Sequence, residues 1–135
     1  MPDYEFIDHT ADLAVKVQGK DLPTLFTNAA KAMIEYLSPT SASSQVSAEE
    51  EIVLSAFDQN ALLVAWLSEI LYRTEIEKKV YTEFEIKELT EKSLRVAISG
   101  YQAQKFAKDI KAVTHHNLAI EKTGEGYEVT ITFDI

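Results

Sequence analysis

Residues 4–12 read YEFIDHTAD, and the sequence closes with Asp134 and Ile135. The first stretch begins as a strand-forming run and ends in a polar turn that contains His9 and Asp12. The last stretch alternates apolar and polar residues, which predicts a strand that ends with a side-chain carboxylate beside the α-carboxylate. If these two strands pair in the fold, Asp12, Asp134 and the carboxylate of Ile135 could surround one hard cation.

Three carboxylate groups suit calcium, magnesium or manganese better than zinc, because hard oxygen ligands select hard ions. A second interpretation of the same residues remains open. Asp12 would then cap a turn by bonding nearby backbone N–H groups, and Asp134 would belong to the polar face of an edge strand. The pattern shows that the oxygens are of the right kind for a metal, but it does not show that they converge.

The composition is that of an ordinary globular protein. A length of 135 residues is enough for one domain with a hydrophobic core. The content of 46% hydrophobic and 26% charged residues is typical of globular proteins. The absence of cysteine excludes disulfides, a thiolate nucleophile and cysteine-based metal sites. The net charge of −9, from 22 acidic and 13 basic residues, opposes broad binding to a phosphate backbone. We therefore expect contact with nucleic acid only indirectly, through a partner protein.

The sequence has no signal for a membrane or for secretion. No window approaches eighteen continuous apolar residues, and the opening MPDYEFID lacks the basic and apolar regions of a signal peptide. We therefore predict a cytoplasmic protein.

Two amphipathic helices are predicted from apolar residues at three-and-four spacing. The first is capped by Asp21, has Pro23 in its first turn and ends near Leu37. The second is capped by Asp58 and ends around residues 77–79. Its single tryptophan is predicted to be a core residue.

The remaining periodic segments predict mainly antiparallel strands, and residues 38–44 are predicted as a loop. The predicted strands cover residues 4–7, 13–17, 45–57, 80–88, 93–100, 117–122 and 126–135. The run Glu49, Glu50 and Glu51 is predicted to be solvated. Two helices grouped with such strands predict an α+β fold, with one domain over residues 1–135.

Residues 101–116, YQAQKFAKDIKAVTHH, form the least periodic polar stretch and are predicted to be a functional loop. Three lysines recur there at intervals of three, so that a helical turn would align them as a basic patch or a solvated face. They are Lys105, Lys108 and Lys111. Adjacent strand side chains point to opposite faces, so His115 and His116 cannot readily chelate one metal.

Three segments of this chain carry a specific combination of motifs. Residues 6–33 contain the HTAD tetrapeptide followed by a strand and a helix, residues 109–122 contain IKAVT-x-H, and residues 126–135 end on F-D-I. This combination resembles the archease family over the whole chain. The resemblance implies a small α+β chaperone or modulator that is not an enzyme. It would activate an RtcB-type tRNA-splicing ligase by promoting ligase guanylylation and multiple turnover, and some members are linked to tRNA methyltransferase modulation.

The family's metal-binding pattern implies three ligands in this sequence. Asp12 matches the HTAD aspartate, Asp134 matches the penultimate aspartate, and Ile135 matches the terminal residue that supplies a carboxylate. The implied ion is divalent, calcium first, with magnesium or manganese as alternatives. Expected contacts with the partner are His9, Lys111 and His116.

One position departs from the family pattern. The family commonly reads Tyr-His-Asp where this sequence has His115, His116 and Asn117. His116 matches, but the lost carboxylate puts in doubt any role of the third position as an acid.

Two other classes of function stay open at this point. A small metal-dependent hydrolase would use the same carboxylates to hold a cation that activates water, with His9 or His116 as the base. No phosphate loop, dinucleotide fingerprint, zinc helix or nucleophile elbow supports an enzyme. An interaction domain would instead recruit a basic partner through its acidic surface.

Overall fold

The computed structural model describes residues 3–8, 12–41 and 45–135. Within these ranges, helix α1 spans Leu22–Leu37 and helix α2 spans Gln59–Glu77. The strands are β1 Tyr4–Asp8, β2 Asp12–Gly19, β3 Pro39–Ser41, β4 Glu50–Ser55, β5 Lys79–Leu89, β6 Ser93–Phe106, β7 Ala112–Val113, β8 Glu121–Lys122 and β9 Tyr127–Asp134. This arrangement confirms the predicted α+β fold.

The strands form two antiparallel sheets. The first sheet has the order β1-β2-β9-β7, and β8 also pairs with β9. In the second sheet the long strand β6 pairs with β3, β4 and β5. The second and last strands of the chain, β2 and β9, are therefore neighbours, and β1 pairs only with β2.

Helix α1 begins and ends at residues that satisfy its free backbone groups. The Asp21 carboxylate accepts a hydrogen bond from the Thr24 backbone N–H at 2.8 Å. Pro23 lies in the first turn, where a missing N–H has no cost. The helix stops at Ser38, whose φ of 49° is left-handed and whose N–H donates to the Glu35 carbonyl.

Helix α2 is capped in the same way and is joined to α1 through its tryptophan. The Asp58 carboxylate accepts a hydrogen bond from the Ala61 N–H at 2.8 Å. Trp66 is fully buried, as predicted, and its Nε1 donates to the Phe26 carbonyl at 2.9 Å. Its ring meets Phe84 edge to face at 6.0 Å between centroids, so one side chain connects α1, α2 and β5. No helix in the described ranges is long and apolar enough to cross a membrane.

The first sheet turns one face toward the helices and the other away from them. The buried residues of β2 and β9 on the helix side are Leu13, Val15, Val17, Val129, Ile131 and Phe133. Since side chains alternate along a strand, Asp12 and Asp134 belong to the opposite face.

Several predicted boundaries were wrong because tertiary pairing decided them. The predicted loop 38–44 contains β3, which pairs with an extension of β6 that the sequence pattern did not show. The strand predicted over 45–57 is limited to residues 50–55. The strand predicted over 117–122 is reduced to residues 121–122.

The polar stretch 101–116 is also organised differently from the prediction. Its first six residues belong to β6, and β7 occupies residues 112–113. The structure has no helix between residues 101 and 116, so no helical turn aligns the three lysines.

Candidate functional site

The pairing of β2 with β9 places Asp12 directly opposite Asp134. Residues opposed in an antiparallel pair share one face of the sheet, with Cβ atoms about 4.5–5.5 Å apart. Asp12 is partly exposed and Asp134 is exposed. The register therefore brings together two carboxylates that are 122 positions apart in the sequence.

These two carboxylates have no internal counter-charge in the described part of the chain. None of the ion pairs found there involves Asp12 or Asp134. Like charges that stand directly opposite each other on a sheet are destabilising. A cation from outside the chain would remove this repulsion.

Carboxylate oxygens are donors that hard divalent cations prefer, but the described side chains alone do not complete a metal site. Among the described residues, no group of three or more His, Cys, Asp or Glu side chains could hold a metal ion. Two carboxylates alone leave further coordination positions to other oxygens, such as those of Ile135 or of water. Ile135 packs against the core and is partly buried, so the residue after Asp134 is held in place.

Asp134 is fixed by strands on both sides. Besides its pairing with β2, it pairs with Ala112 of β7. Its carbonyl oxygen accepts a hydrogen bond from the Lys111 backbone N–H at 2.7 Å. Lys111 is exposed and its side chain enters no ion pair within the described ranges. The backbone thus places a free ammonium group on the residue next to β7.

A cavity of about 280 Å³ opens beside Asp12 on the outer face of the first sheet. Its lining residues are Asp12, Ala14, His116, Asn117, Thr130 and Thr132. Ala14 is only 8% exposed although it belongs to the outer face, so the segment that follows β7 shelters this part of the sheet. Asp134 is not among the lining residues, and it borders the cavity only through its pairing with Asp12.

The wall of the cavity is held by two hydrogen bonds that involve the Thr114 hydroxyl. Its hydroxyl donates to the Thr132 carbonyl at 2.9 Å, and the same oxygen accepts from the His116 N–H at 3.3 Å. Asn117 has a left-handed φ of 51°, a conformation that asparagine and aspartate adopt more readily than most residues. Its Nδ2 lies 3.3 Å from His116 Nε2. Asparagine therefore meets the backbone requirement at this position without supplying a carboxylate.

Most of the predicted site residues converge at one end of the first sheet. They are Asp12, Asp134, Ile135, Lys111 and His116. His9 lies outside the described residues. Ala14, Thr130 and Thr132 were not predicted from the sequence, and Asn117 was named only as a departure from the family pattern. The alternation along β9 is a signal for the two threonines, because they share a face with Asp134.

The fold and this site define a small α+β protein with a pair of carboxylates where its second and last strands meet. Residues 4–135 match the Archease protein family (MTH1598/TM1083). Protein archease of Methanosarcina acetivorans is 36% identical over 140 residues, which cover 98% of this chain and 95% of the relative. Protein archease of Archaeoglobus fulgidus is 34% identical over 136 residues, which cover 98% of each chain. This chain belongs to the archease family.

Solved structures agree with the fold. The solution structure of Methanobacterium thermoautotrophicum protein 1598 matches with a TM-score of 0.77 and 26% identity over 100% of both chains. The crystal structure of a Thermotoga maritima archease, described as a possible chaperone, matches with a TM-score of 0.70. Its identity is 19%, over 96% of this chain and 94% of that one, so it supports the fold alone.

Proposed function

We propose that this protein is a non-catalytic cofactor of an RtcB-type tRNA-splicing ligase in the cytoplasm. It promotes formation of the ligase–guanylate intermediate and allows the ligase to turn over many times. The observation that carries the proposal is the register that opposes Asp12 and Asp134 without an internal cation in the described ranges. Family membership supports a protein that assists another protein.

The residues that would hold the cation are Asp12, Asp134 and the carboxylate predicted at Ile135. Hard oxygen donors without a thiolate favour a hard divalent ion, for which we propose calcium, with magnesium or manganese as alternatives. When bound, the ion supplies positive charge that attracts oxygen ligands of the partner. The position of Asp134 is held by its pairing with β2 on one side and with β7 on the other.

The surface around the carboxylates provides contacts for the ligase. Lys111 offers an exposed ammonium group, and His116 offers an imidazole at the edge of the 280 Å³ cavity. The net charge of −9 disfavours direct binding to an RNA backbone. Recognition of the RNA is therefore left to the ligase, and this protein acts on the ligase itself.

The test is multiple-turnover RNA ligation by the cognate ligase, with and without this protein. The informative variants are Asp12→Asn, which keeps the shape of the side chain, and a deletion of Ile135. The matched control is Glu91→Gln, in the exposed turn between β5 and β6. We expect wild type and the control to stimulate turnover, and both site variants to lose at least about tenfold, the scale of a weakened metal site.

The outcomes separate the parts of the proposal. If wild type fails to stimulate its cognate ligase, the cofactor role is wrong. If folded Asp12→Asn and the Ile135 deletion stimulate as well as wild type, the carboxylates do not carry the activity. Hydrolysis by the protein alone, lost in Asp12→Asn, would replace the proposal with the hydrolase alternative.

A further inference from the structure

A second cavity, of about 570 Å³, lies at the other end of the first sheet. It is formed where β2 ends at Gly19, where α1 begins, and in the turn between β8 and β9. Gly19 is seven residues along β2 from Asp12, which is about 23 Å at about 3.3 Å per residue. The residues whose chemistry matters are Asp3, Gln18, Asn28, Glu125, Tyr127 and Glu128. This cavity is therefore separate from the carboxylate pair.

Gln18 presents a buried acceptor without a donor. Its Oε1 is buried and accepts no hydrogen bond from the described residues. Its Nε2 donates to Glu128 Oε2 at 3.4 Å. Turning the amide over would set its oxygen against that carboxylate, so the hydrogen-bond partner fixes the orientation. Buried polar atoms of this kind usually have a partner, and the described residues supply none for this enclosed oxygen.

Asn28 presents a second amide group, and this residue also lines the cavity. The residue is only 7% exposed, and it lines the cavity from α1. Its Nδ2 donates to the Gln18 carbonyl at 2.8 Å, which again fixes the orientation of the amide. Its Oδ1 accepts no hydrogen bond within the described ranges. Two oriented amide oxygens without donors therefore lie at this cavity, an enclosed one on Gln18 and one on the lining residue Asn28.

The charged residues that line the cavity also favour a ligand that is positively charged and donates hydrogen bonds. Carboxylates come from Asp3, Glu125 and Glu128, whereas Lys20 is the single cation among the lining residues. Glu128 also lies 3.8 Å from the Nζ of Lys16, which is a long and partly exposed ion pair. The lining therefore has an excess of hydrogen-bond acceptors and of negative charge.

We propose that this cavity binds a guanidinium group. A guanidinium ion is planar, carries five N–H donors and has no acceptor, so it complements amide and carboxylate oxygens around a cavity. Tyr127 adds an aromatic ring to the lining, and guanidinium groups stack on such rings. The group can come from an arginine side chain of a partner protein or from a free guanidinium compound. The proposal does not depend on the role proposed for Asp12 and Asp134.

The first test is a titration followed by NMR of the backbone and side-chain amides, at an ionic strength of about 0.15 M so that exposed charges are screened. The probes are the peptide Ac-Gly-Arg-Gly-NH2, methylguanidine, and the same peptide with citrulline, which is neutral and nearly isosteric with arginine. We expect saturable shifts at Gly124, Gly126 and the side-chain amides of Gln18 and Asn28. The citrulline peptide should bind at least about tenfold more weakly, because charge-assisted hydrogen bonds are lost.

Comparing the arginine peptide with methylguanidine distinguishes the two sources of the guanidinium group. Tighter binding of the arginine peptide than of methylguanidine assigns the cavity to a protein partner, and the reverse assigns it to a small molecule. Equal binding of the arginine and citrulline peptides would overturn the proposal. Shifts spread evenly over the acidic surface would also overturn it.

The second test uses variants that keep the shape of the cavity. The double variant Glu125→Gln with Glu128→Gln should weaken binding of the arginine peptide by about tenfold or more. The matched control removes two exposed carboxylates, one in β5 and one in the turn that follows it, through Glu85→Gln with Glu91→Gln, and should bind like wild type. These changes are preferable to Asn28→Ala, which removes the hydrogen bond to Gln18. Equal weakening in both double variants would show that only the net charge matters and would overturn the site.

Discussion

Two regions of this protein hold carboxylates in opposite ways. The Glu50 cluster consists of Glu50, Arg73, Lys79 and Tyr81. The carboxylate pair consists of Asp12 and Asp134. In the first region the fold supplies the counter-charges, whereas in the second the described chain supplies none. The difference indicates which carboxylate stabilises the fold and which carboxylates are available to a ligand.

The Glu50 cluster connects three elements. The side chain of Glu50 is 19% exposed, and it accepts hydrogen bonds from Arg73 Nη1 at 2.9 Å, Lys79 Nζ at 3.0 Å and the Tyr81 hydroxyl at 3.2 Å. These partners come from α2 and β5, while Glu50 begins β4. Such a satisfied, partly buried group is typical of a structural role.

The largest expected effect comes from breaking the Glu50 cluster. Arg73→Met removes the guanidinium and keeps much of the apolar stem, so Glu50 loses part of its compensation. We expect the free energy of unfolding, measured with urea, to fall by about 1–3 kcal/mol. Arg95→Met is the control, since Arg95 is exposed and enters no ion pair within the described ranges. It should change stability by no more than about 0.5 kcal/mol, and equal losses would contradict the assignment.

A smaller effect of the same cluster is expected in how the free energy of unfolding depends on pH. Burial acts to raise the pKa of Glu50, but the hydrogen bond and charge of Lys79, with Tyr81 and Arg73, outweigh it and hold the pKa below its ordinary value of 4.5. A carboxyl group with a lowered pKa in the folded state adds stability above the unfolded pKa and loses it as the pH falls through the folded pKa. Glu50→Gln should therefore flatten the loss of stability below about pH 4.5.

This prediction is checked by urea unfolding at a series of pH values, with Glu85→Gln as the control. Glu85 is exposed and enters no described ion pair. Glu50→Gln should lose less stability than wild type on acidification, and Glu85→Gln should follow wild type. An acid limb that is unchanged in Glu50→Gln would show that the cluster does not contribute.

The smallest expected effect has the opposite sign and concerns the carboxylate pair. Asp134→Asn removes one of two opposed charges, so without divalent cations it should raise the free energy of unfolding by about 0.2–1 kcal/mol. The measurement is urea unfolding in the presence of a chelator. Glu91→Gln, which removes one exposed charge elsewhere, corrects for the change in net charge. A loss of stability in Asp134→Asn under these conditions would mean that the pair is already compensated.

The elements with local signals were predictable from the sequence. Asp21 and Asp58 are strong N-caps ahead of regular apolar patterns, and each helix begins at the residue directly after its cap. The alternation in β2 and β9 also predicted which side chains would be buried. The short strands β3 and β7 were not predicted, because two or three residues carry no periodicity and form strands only where β6 and β9 offer backbone partners.

The candidate site was predictable in its residue types but not in its arrangement. The carboxylates of Asp12 and Asp134 are visible in the sequence, whereas their register and lack of a counter-charge are properties of the fold. The opposite case is Glu50, which was predicted to be solvated with its two neighbours. That prediction was wrong for Glu50, because α2 and β5 bring Arg73 and Lys79 to it from distant parts of the chain.

We propose that the carboxylate pair takes its counter-charge from a divalent cation. The most direct test is isothermal titration calorimetry of calcium into wild type, Asp12→Asn, Asp134→Asn and the control Glu91→Gln. We predict one saturable site per chain in wild type and the control, with affinity lowered at least about tenfold in each aspartate variant. Equal binding by all four proteins, or no binding by wild type, would contradict the claim.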